Sequence, residues 1–398
     1  MLRELFIAIY LFIFKTIFEI NKMFPLQKKS VFVASFPGNI PLMIEELNKH
    51  AFNERIIVIH TNQKPVEMIE DDNITHLIYR HPFQFFKSIH HLATARYVFV
   101  DNYFAFLAAS DFKDEVRCIQ VWHAAGALKL FGLNDLTIRH RKASAIKRFK
   151  AVYDRFDFIV VGSRKMENIF RESFGIDENE RFLRTGIPRT DFFFDDIKKR
   201  QAMQQFHKDF PFIGDKKVLL YAPTYREEQL GQSGISLPLN LTDLHNQLGE
   251  DYVLLLRLHP ALNQQFKNPF SDFVINVSEY DSIETLLVGT DILISDYSSI
   301  PFEFALLNKP MIFYVPDFDN YAKTRGVIED YETVVPGPVV KTTQELIEII
   351  KSEQFDLDAV KQFAREWNEY SNGHSTLNLI QSLYLLPEET REQIRENV

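Results

Sequence analysis

Several apolar runs of this 398-residue chain are followed by side chains that can bind phosphate or move a proton. His123, Thr224 and His259 each follow such a run, and a fourth run ends in the polar segment 296–299. Imidazole accepts a proton from an attacking hydroxyl near neutral pH, and hydroxyl groups donate hydrogen bonds to phosphate oxygens. These residue types indicate chemistry on a phosphorylated substrate, with His123 as the candidate general base.

Two of these run ends are especially rich in phosphate-binding groups. Arg257-Leu258-His259-Pro260 suits a diphosphate, because a cationic side chain there would neutralise charge on a phosphate leaving group. In the turn 295–303, the backbone amides and the hydroxyls of Ser298 and Ser299 can donate to phosphate oxygens, and Glu303 can accept from ribose or glycerol hydroxyls. The alternatives are structural, namely a satisfied histidine at a sheet end and helix N-capping by serine.

Three further positions are candidate ligand contacts. Arg189 and Arg226 carry forked donors that match phosphate oxygens, although an ion pair at the surface is the alternative for each. Gly126, in the small-residue loop after His123, permits close approach of the backbone to a ligand. Asp317-Phe318-Asp319 resembles the metal-binding pair of some sugar transferases but lacks a further carboxylate in that context, so we expect no metal site.

The elements that must position these residues alternate between short apolar runs and amphipathic stretches. Such alternation predicts an α/β fold with parallel sheets and crossover helices, and the pattern restarts after a charged interval, which predicts two successive doubly wound domains with a boundary near residue 205. In such sheets ligands bind at the carboxyl ends of the strands. The predicted strands are 31–35, 56–60, 97–101, 118–122, 158–161, 218–222, 252–258, 273–277, 292–295 and 311–315.

Composition narrows the class of protein. The single cysteine, Cys118, excludes an internal disulfide framework and fits a reducing compartment. Residues 1–200 carry 30 Lys and Arg against 24 Asp and Glu, whereas residues 201–398 carry 15 against 30. The basic half suits an anionic surface, and because it contains no nucleic-acid-binding motif we expect no nucleic-acid partner. The oligomeric state is left open, with a homo-oligomer as one alternative.

The first 24 residues predict an amphipathic helix. Their longest uncharged run, Leu5–Phe14, has ten residues, about half of what a spanning helix needs. A helix here can lie in the bilayer interface or pack on the domain core, and the sequence does not choose between them. The basic residues of 139–150 would support the interfacial alternative by meeting anionic head groups.

The motifs taken together resemble the CDP-glycerol glycerophosphotransferase family of teichoic-acid synthesis. The matching segments run from about residue 95 to 375, and they are Trp122-His123, Thr185–Asp191, Tyr221–Arg226, Arg257–Pro260, Asp291–Tyr314 and Arg325–Pro338. The one-residue-longer form of the segment 122–132, and Asp101-Asn102-Tyr103-Phe104, are similar to the primase branch of that family, the TagB/TarB proteins. The resemblance implies a GT-B-like fold of two Rossmann-type domains facing a cleft.

The resemblance also implies roles for individual residues. His123 and His259 match the two essential histidines of the family, and the residues that match contacts to CDP-glycerol are Arg189, Pro223, Thr224, Arg257, Ser298, Ser299 and Glu303. Gly126 and Arg226 remain possible additional phosphate contacts, although the longer loop 124–127 weakens that match. No tightly bound metal or cofactor is expected.

The implied reaction is transfer of glycerol phosphate to a ManNAc-GlcNAc-diphospho-undecaprenol acceptor by a peripheral protein at the cytoplasmic face of the cell membrane. The alternatives are a polymerase of the same family and a nucleotide-sugar glycosyltransferase. We expect a membrane-associating helix at 1–24, an acceptor-side domain at 25–205, a CDP-glycerol domain at 206–355 and C-terminal helices at 356–398 that pack back across the domains.

Overall fold

The computed structural model describes residues 2–50, 54–62, 71, 73–224, 226, 237–258 and 266–385. The chain forms two compact units. The first contains residues 1–124, 131–191 and 369–398, and the second contains residues 125–130 and 192–368. Each unit is built around one parallel sheet, which confirms the predicted α/β fold.

The first unit holds a seven-stranded sheet with the order β3-β2-β1-β4-β5-β6-β7, in which all paired strands are parallel. The strand order reverses at β1 and β4, as in doubly wound folds. The strands are Lys29–Ala34 (β1), Arg55–His60 (β2), Ile74–Ile78 (β3), Tyr97–Val100 (β4), Arg117–Gln120 (β5), Phe158–Val160 (β6) and Phe182–Leu183 (β7). The helices are Leu2–Lys22 (α1), Asn39–Lys49 (α2), Pro82–Thr94 (α3), Ala143–Tyr153 (α4) and Arg164–Phe174 (α5).

The second unit holds a six-stranded parallel sheet with the order β10-β9-β8-β11-β12-β13. Its strands are Lys217–Tyr221 (β8), Tyr252–Leu256 (β9), Val274–Asn276 (β10), Ile292–Ser295 (β11), Met311–Tyr314 (β12) and Val339–Val340 (β13). Its helices are Asp196–Asp209 (α6), Leu241–Leu248 (α7), Ile283–Gly289 (α8), Ile300–Phe304 (α9), Phe318–Thr324 (α10), Tyr331–Val334 (α11), Thr343–Ser352 (α12) and Leu357–Trp367 (α13). The reversal lies at β8 and β11, so the two sheets share one topology.

Each unit is built from separate segments of the chain, and their bounds differ from the expected residues 205 and 356. The second unit begins after Asp191, earlier than residue 205, because the Phe206 side chain of α6 packs directly on Gly289 of α8. The segment after residue 368 returns to the first unit, where Ser375–Ile380 forms α14. The Asp191 carboxylate accepts hydrogen bonds from the backbone N–H groups of Ser375 and Thr376, both at 2.8 Å, and so fixes the start of that helix.

Helix α1 presents both a packed face and an exposed face. Phe14 and Phe18 are fully buried, and the ring of Phe14 stacks on Phe106 with centroids 5.3 Å apart. Phe6 and Phe12, in contrast, are 68% and 72% exposed. Within the described residues, no helix combines the length and apolar character needed to cross a membrane. The helix therefore packs on the core through one stripe and leaves a second apolar stripe to the solvent.

The strands that the sequence pattern missed are all at sheet edges. β3, β7 and β13 each lie at the end of a sheet, and β7 and β13 are two residues long. Edge strands are buried less completely and need fewer apolar residues, so they leave a weak signal in the sequence. The ten predicted strands correspond to the other ten strands of the two sheets.

Candidate active site

His123 lies just beyond the carboxyl end of β5. Its Nδ1 atom is 2.8 Å from the backbone oxygen of Asp101, which follows the neighbouring strand β4. A carbonyl oxygen can only accept, so Nδ1 carries the proton of this hydrogen bond. In the neutral ring the lone pair is then on Nε2. The backbone oxygen of Asp101 thus favours the tautomer of the neutral ring in which Nε2 carries the lone pair.

Two aromatic rings hold the imidazole of His123. The Phe36 ring stacks on it with centroids 4.0 Å apart, and the Trp122 ring stacks on it with centroids 4.5 Å apart. Trp122 has a φ of 53°, in the left-handed region that non-glycine residues rarely occupy. The side-chain oxygen of Gln120 accepts a hydrogen bond from the Trp122 N–H at 2.9 Å and stabilises this conformation. Backbone strain of this kind is concentrated at functional sites.

Arg189 contacts the same loop from the 3-10 helix Pro188–Phe194. Its Nη1 atom donates to the backbone oxygen of His123 at 2.9 Å, and its backbone N–H donates to the side-chain oxygen of Asn39 at 3.0 Å. The Asn39 side chain donates in turn to the backbone oxygens of Val121 and Trp122, each at 3.0 Å. The structure therefore brings the predicted residues His123 and Arg189 together.

Asp101 organises this edge of the sheet, a role that sequence reasoning missed. Its carboxylate is buried and accepts hydrogen bonds from the backbone N–H groups of Ser35 and Phe36, at 2.7 and 2.8 Å, and from the Ser35 hydroxyl at 2.7 Å. Burial raises the pKa of Asp101 to about 6, although these hydrogen bonds act in the opposite direction. The signal was available, because an aspartate directly after an apolar strand is a frequent ligand of neighbouring loops.

The second unit places its candidate residues beyond three adjacent strands, β9, β8 and β11. Pro223 and Thr224 follow β8, Arg257 follows β9, and Ser298 and Ser299 follow β11. Because the strands are parallel, these residues lie at the same edge of the sheet. Five predicted ligand contacts, from the loops after β8, β9 and β11, thus lie at one edge of the second sheet.

Arg257 is anchored by the end of the sheet. Its Nη1 atom donates to the backbone oxygens of Val277 and Tyr280, at 3.3 and 2.8 Å. Burial lowers the pKa of Arg257, while Glu284 and Asp281 act in the opposite direction. Both of these hydrogen bonds come from a single guanidinium nitrogen, so the anchored side chain keeps donors that suit an anionic ligand.

Asp296 is the centre of a hydrogen-bond network that holds the loop after β8. It accepts from the backbone N–H and the hydroxyl of Thr224, both at 2.8 Å, and from the Arg226 guanidinium at 3.0 Å. Arg226 also binds the Asp317 carboxylate through two nitrogens, at 2.8 and 3.2 Å. Arg226 thus occupies a half-buried ion-pair network, which corresponds to the ion-pair alternative rather than to an isolated phosphate ligand. The phosphate role of Arg226 stays a prediction.

The turn after β11 has the predicted geometry but a different capping pattern. Helix α9 starts at Ile300, with Pro301 in its first turn, and the Ser299 side chain makes no capping hydrogen bond. The Ser298 hydroxyl accepts from the Ile300 N–H at 3.3 Å. Glu303 is buried on the same helix. Ser298 rather than Ser299 thus meets the first backbone N–H of the helix, and both the capping alternative and the phosphate role of the two serines stay predictions.

Gly126 belongs to the second unit, where close packing against Phe302 leaves no room for a side chain. A Cβ atom at this position would lie 2.5 Å from the Phe302 ring, so only glycine permits this contact. Three residues further on, Lys129 pairs with Val327 in an antiparallel bridge. Lys129 is solvent-accessible, but the surrounding protein lowers the pKa of its ammonium group, while Asp296 acts in the opposite direction. Sequence reasoning assigned no role to this lysine.

His259 and Pro260 lie outside the described residues, as does Tyr225. The second predicted catalytic histidine therefore stays a prediction from the sequence.

Comparisons with known proteins identify the family. The model of the CDP-Glycerol:Poly(glycerophosphate) glycerophosphotransferase family matches residues 16–385. The teichoic acid glycerol-phosphate primase of Bacillus subtilis (strain 168) is 35% identical over 382 residues, 95% of this chain and 97% of that protein. The teichoic acid poly(ribitol-phosphate) polymerase of Bacillus spizizenii is 33% identical over 305 residues, which cover 75% of this chain and 48% of that protein.

A solved structure of the wall teichoic acid polymerase TagF has a similar fold. The TM-score is 0.79 at 23% sequence identity, and the match covers 98% of this chain and 95% of that chain. This likeness confirms a GT-B-like α/β fold with parallel sheets. From the family match over nearly the whole described chain, and from the relatives at 33% and 35% identity, we conclude that this chain is an enzyme of the CDP-glycerol:poly(glycerophosphate) glycerophosphotransferase family of teichoic-acid synthesis.

Proposed function

We propose that this enzyme is a wall teichoic acid primase. It transfers one glycerol phosphate from CDP-glycerol to a ManNAc-GlcNAc-diphospho-undecaprenol acceptor and releases CMP. The observation that carries the proposal is the extent of the match, which covers 97% of the glycerol-phosphate primase of B. subtilis but 48% of the B. spizizenii polymerase. This extensive alignment with a primase supports the transfer of a single unit.

The proposed mechanism is direct displacement at the β-phosphorus of CDP-glycerol. The acceptor hydroxyl forms the new P–O bond while the P–O bond to CMP breaks, and the hydroxyl proton passes to Nε2 of His123. The hydrogen bond from Nδ1 to the Asp101 carbonyl supports this assignment, because it places the proton of the neutral ring on Nδ1 and the lone pair on Nε2. Transfer of this kind gains mostly from positioning and electrostatics, which suits a site made of hydrogen-bond donors.

We assign donor binding to residues that follow β8, β9 and β11, with Arg189 as an additional contact. The group consists of Pro223, Thr224, Arg257, His259, Ser298, Ser299 and Glu303. The shared sheet edge supports this assignment, since parallel sheets bind ligands at the carboxyl ends of their strands. We propose that no tightly bound metal takes part, and the double engagement of Asp317 by Arg226 supports this for the aspartate pair 317–319. Activity lost in chelator and restored by magnesium would contradict it.

We also propose that the enzyme acts as a peripheral protein at the cytoplasmic face of the cell membrane, with α1 in contact with an anionic lipid surface. The exposed stripe of α1, with Phe6 and Phe12, supports this, as do the basic residues of α4. Phe6→Asp combined with Phe12→Asp should reduce flotation with anionic liposomes several-fold. Phe212→Asp, at a side chain 61% exposed in the second unit, is the matched control. Equal flotation of both variants would contradict a membrane role for α1.

Product analysis tests the transferase proposal directly. Wild-type enzyme is incubated with CDP-glycerol and a short-chain analogue of the disaccharide lipid, and the product is examined by mass spectrometry. The primase proposal predicts CMP release and addition of one glycerol phosphate. A ladder of many added units would indicate a polymerase, and release of UDP from UDP-sugars in place of CMP would indicate a glycosyltransferase.

A further inference from the structure

The first unit contains a cavity of about 250 Å³ next to His123. Its lining is mainly aromatic, with Trp122 at the end nearest His123 and helix α4 on another side. The lining includes Tyr103, Trp122, Asp135, Ile138, Arg141 and Phe149. Because the Trp122 ring stacks on the imidazole, a ligand in this cavity lies within one side chain of the proposed base.

The cavity lining also carries polar groups, among them those of Tyr103, Asp135 and Arg141. The Tyr103 hydroxyl is buried and makes no hydrogen bond of ordinary length and angle within the described residues. The Asp135 carboxylate caps the 3-10 helix Leu136–His140, and Arg141 is solvent-exposed, with its guanidinium 5.2 Å from the centre of the Phe149 ring. An aromatic wall with a few directed polar groups is the usual lining of a small-molecule site.

We infer that this cavity holds a sugar ring of the acceptor against the Trp122 ring that stacks on His123; this inference rests on the proposed function. A pyranose ring offers apolar C–H faces for stacking and hydroxyl groups for hydrogen bonds, and the cavity supplies both kinds of partner. A chain of glycerol phosphate units is polyanionic and fits poorly beside Asp135. An isoprenoid chain offers no polar group to the Tyr103 hydroxyl and would cover the Asp135 carboxylate, which accepts from the Thr137 N–H, with hydrocarbon.

Contacts between α4 and α1 support one orientation of a lipid-linked acceptor on the first unit. Arg148, which precedes the cavity residue Phe149 on α4, forms an ion pair with Glu4 of α1 at 3.3 Å. Ser144 of α4 also donates to Glu4, at 3.2 Å. The cavity wall is thus joined to the amino end of the helix that we assign to the lipid surface. A lipid-linked acceptor fits this order, with its lipid near α1, its diphosphate near the basic residues of α4 and its sugar in the cavity.

Steady-state kinetics of two opposite variants test the sugar site. Phe149→Ala removes a wall, and Ile138→Trp fills the cavity from a half-exposed position. Each should raise the KM for the short-chain disaccharide lipid by about tenfold or more, while the KM for CDP-glycerol stays within about twofold. Phe212→Ala and Ile197→Trp, at exposed positions of the second unit, are the matched controls. Ile138→Trp keeps the test decisive if Phe149→Ala fails to fold.

Fluorescence separates the sugar from the lipid diphosphate. In Trp367→Phe the remaining tryptophan is Trp122, which lines the cavity. Titration with the short-chain disaccharide lipid should change its emission saturably, and the same lipid diphosphate without sugar should not. Equal fluorescence responses to the two lipids would overturn the sugar site alone. An unchanged KM for the acceptor in both active cavity variants would do the same. A wild-type enzyme that transfers nothing from CDP-glycerol would overturn the proposed function instead.

Discussion

The two sheets place an aspartate at the same topological position and use it differently. Asp101 follows β4 and binds the loop after β1, whereas Asp296 follows β11 and binds the loop after β8. In both sheets these are the adjacent strands at which the strand order reverses. Each carboxylate is buried and accepts from a backbone N–H and a hydroxyl of the loop. The shared device fixes one loop relative to the next strand.

The difference lies in how each charge is balanced. The hydrogen bonds that the described residues make to the Asp101 side chain come from neutral donors, and burial raises its pKa to about 6. Asp296 is joined to the Arg226 guanidinium, which also binds Asp317. The same backbone arrangement therefore holds two different carboxylates. Without a cationic partner in the part of the chain that the structure describes, the Asp101 carboxyl has a raised pKa, whereas Asp296 is part of an ion-pair network with Arg226.

Removing the His123 imidazole, which hydrogen-bonds to the Asp101 carbonyl, should have the largest effect on activity. We expect His123→Ala to lower kcat by roughly two to four orders of magnitude, the range for loss of a general base. The affinity for CDP-glycerol, measured by calorimetry, should change little. His140→Ala, at an exposed histidine of the same unit, is the control. Near-wild-type turnover of His123→Ala would move the base elsewhere.

Breaking the ion pairs of Arg226 with Asp296 and Asp317 should show whether Arg226 contributes mainly to stability or to ligand binding. Arg226→Met leaves Asp296 and Asp317 without their cation, and we expect the free energy of unfolding to fall by about 3 kcal/mol. Chemical denaturation measures this, and Arg226→Lys should recover part of it. If Arg226 is instead mainly a phosphate ligand, the KM for CDP-glycerol rises while the stability remains near that of the wild type.

The raised pKa of Asp101 predicts a pH dependence of stability. The native carboxyl binds its proton more tightly than the unfolded one, so between about pH 4 and 6 this group lowers the free energy of unfolding as the pH rises, by up to ~1.4 kcal/mol per pH unit. Asp101→Asn should remove this contribution from the pH profile. Asp296→Asn serves as the comparison. Identical pH profiles for wild type and Asp101→Asn would refute the assignment.

The smallest effects should come from the hydroxyl donors. Ser35→Ala removes a donor from the Asp101 carboxylate, whose hydrogen-bond donors among the described residues are neutral, and we expect a loss of about 1.5 kcal/mol of stability. Thr224→Val removes the equivalent donor from Asp296, which keeps the guanidinium, so the loss should be smaller, about 1 kcal/mol. Thermal unfolding of the two variants tests the order. The reverse order would mean that the cation does not compensate the charge.

Much of this architecture was predictable from the sequence. Apolar strands followed by polar residues indicated parallel sheets, and this placed His123 correctly after β5 and Thr224 after β8. The partners of these residues were not predictable, because pairing across a sheet depends on strand order. Strand order makes Asp101 a neighbour of Ser35 and turns Arg226 toward two carboxylates, and no local pattern encodes it.

The return of the C-terminal segment was expected, but the contacts that it makes with the first unit were not predictable from the sequence. The contact between Asp191 and the start of α14 joins residues more than 180 positions apart. Short polar segments at either end of such a contact resemble ordinary turns. The cavity beside Trp122 was also beyond sequence reasoning, since its aromatic lining comes from several separate segments.

The packing of the C-terminal segment on the first unit affects the order in which the two units fold during synthesis. The amino-terminal sheet lacks its packing against Leu383 and Tyr384 until those residues have left the ribosome, because Tyr97 and Ser30 hydrogen-bond to them. By then every strand of the other sheet has been made. We expect nascent chains to complete the later unit first, which reverses the usual N-to-C sequence of domain maturation.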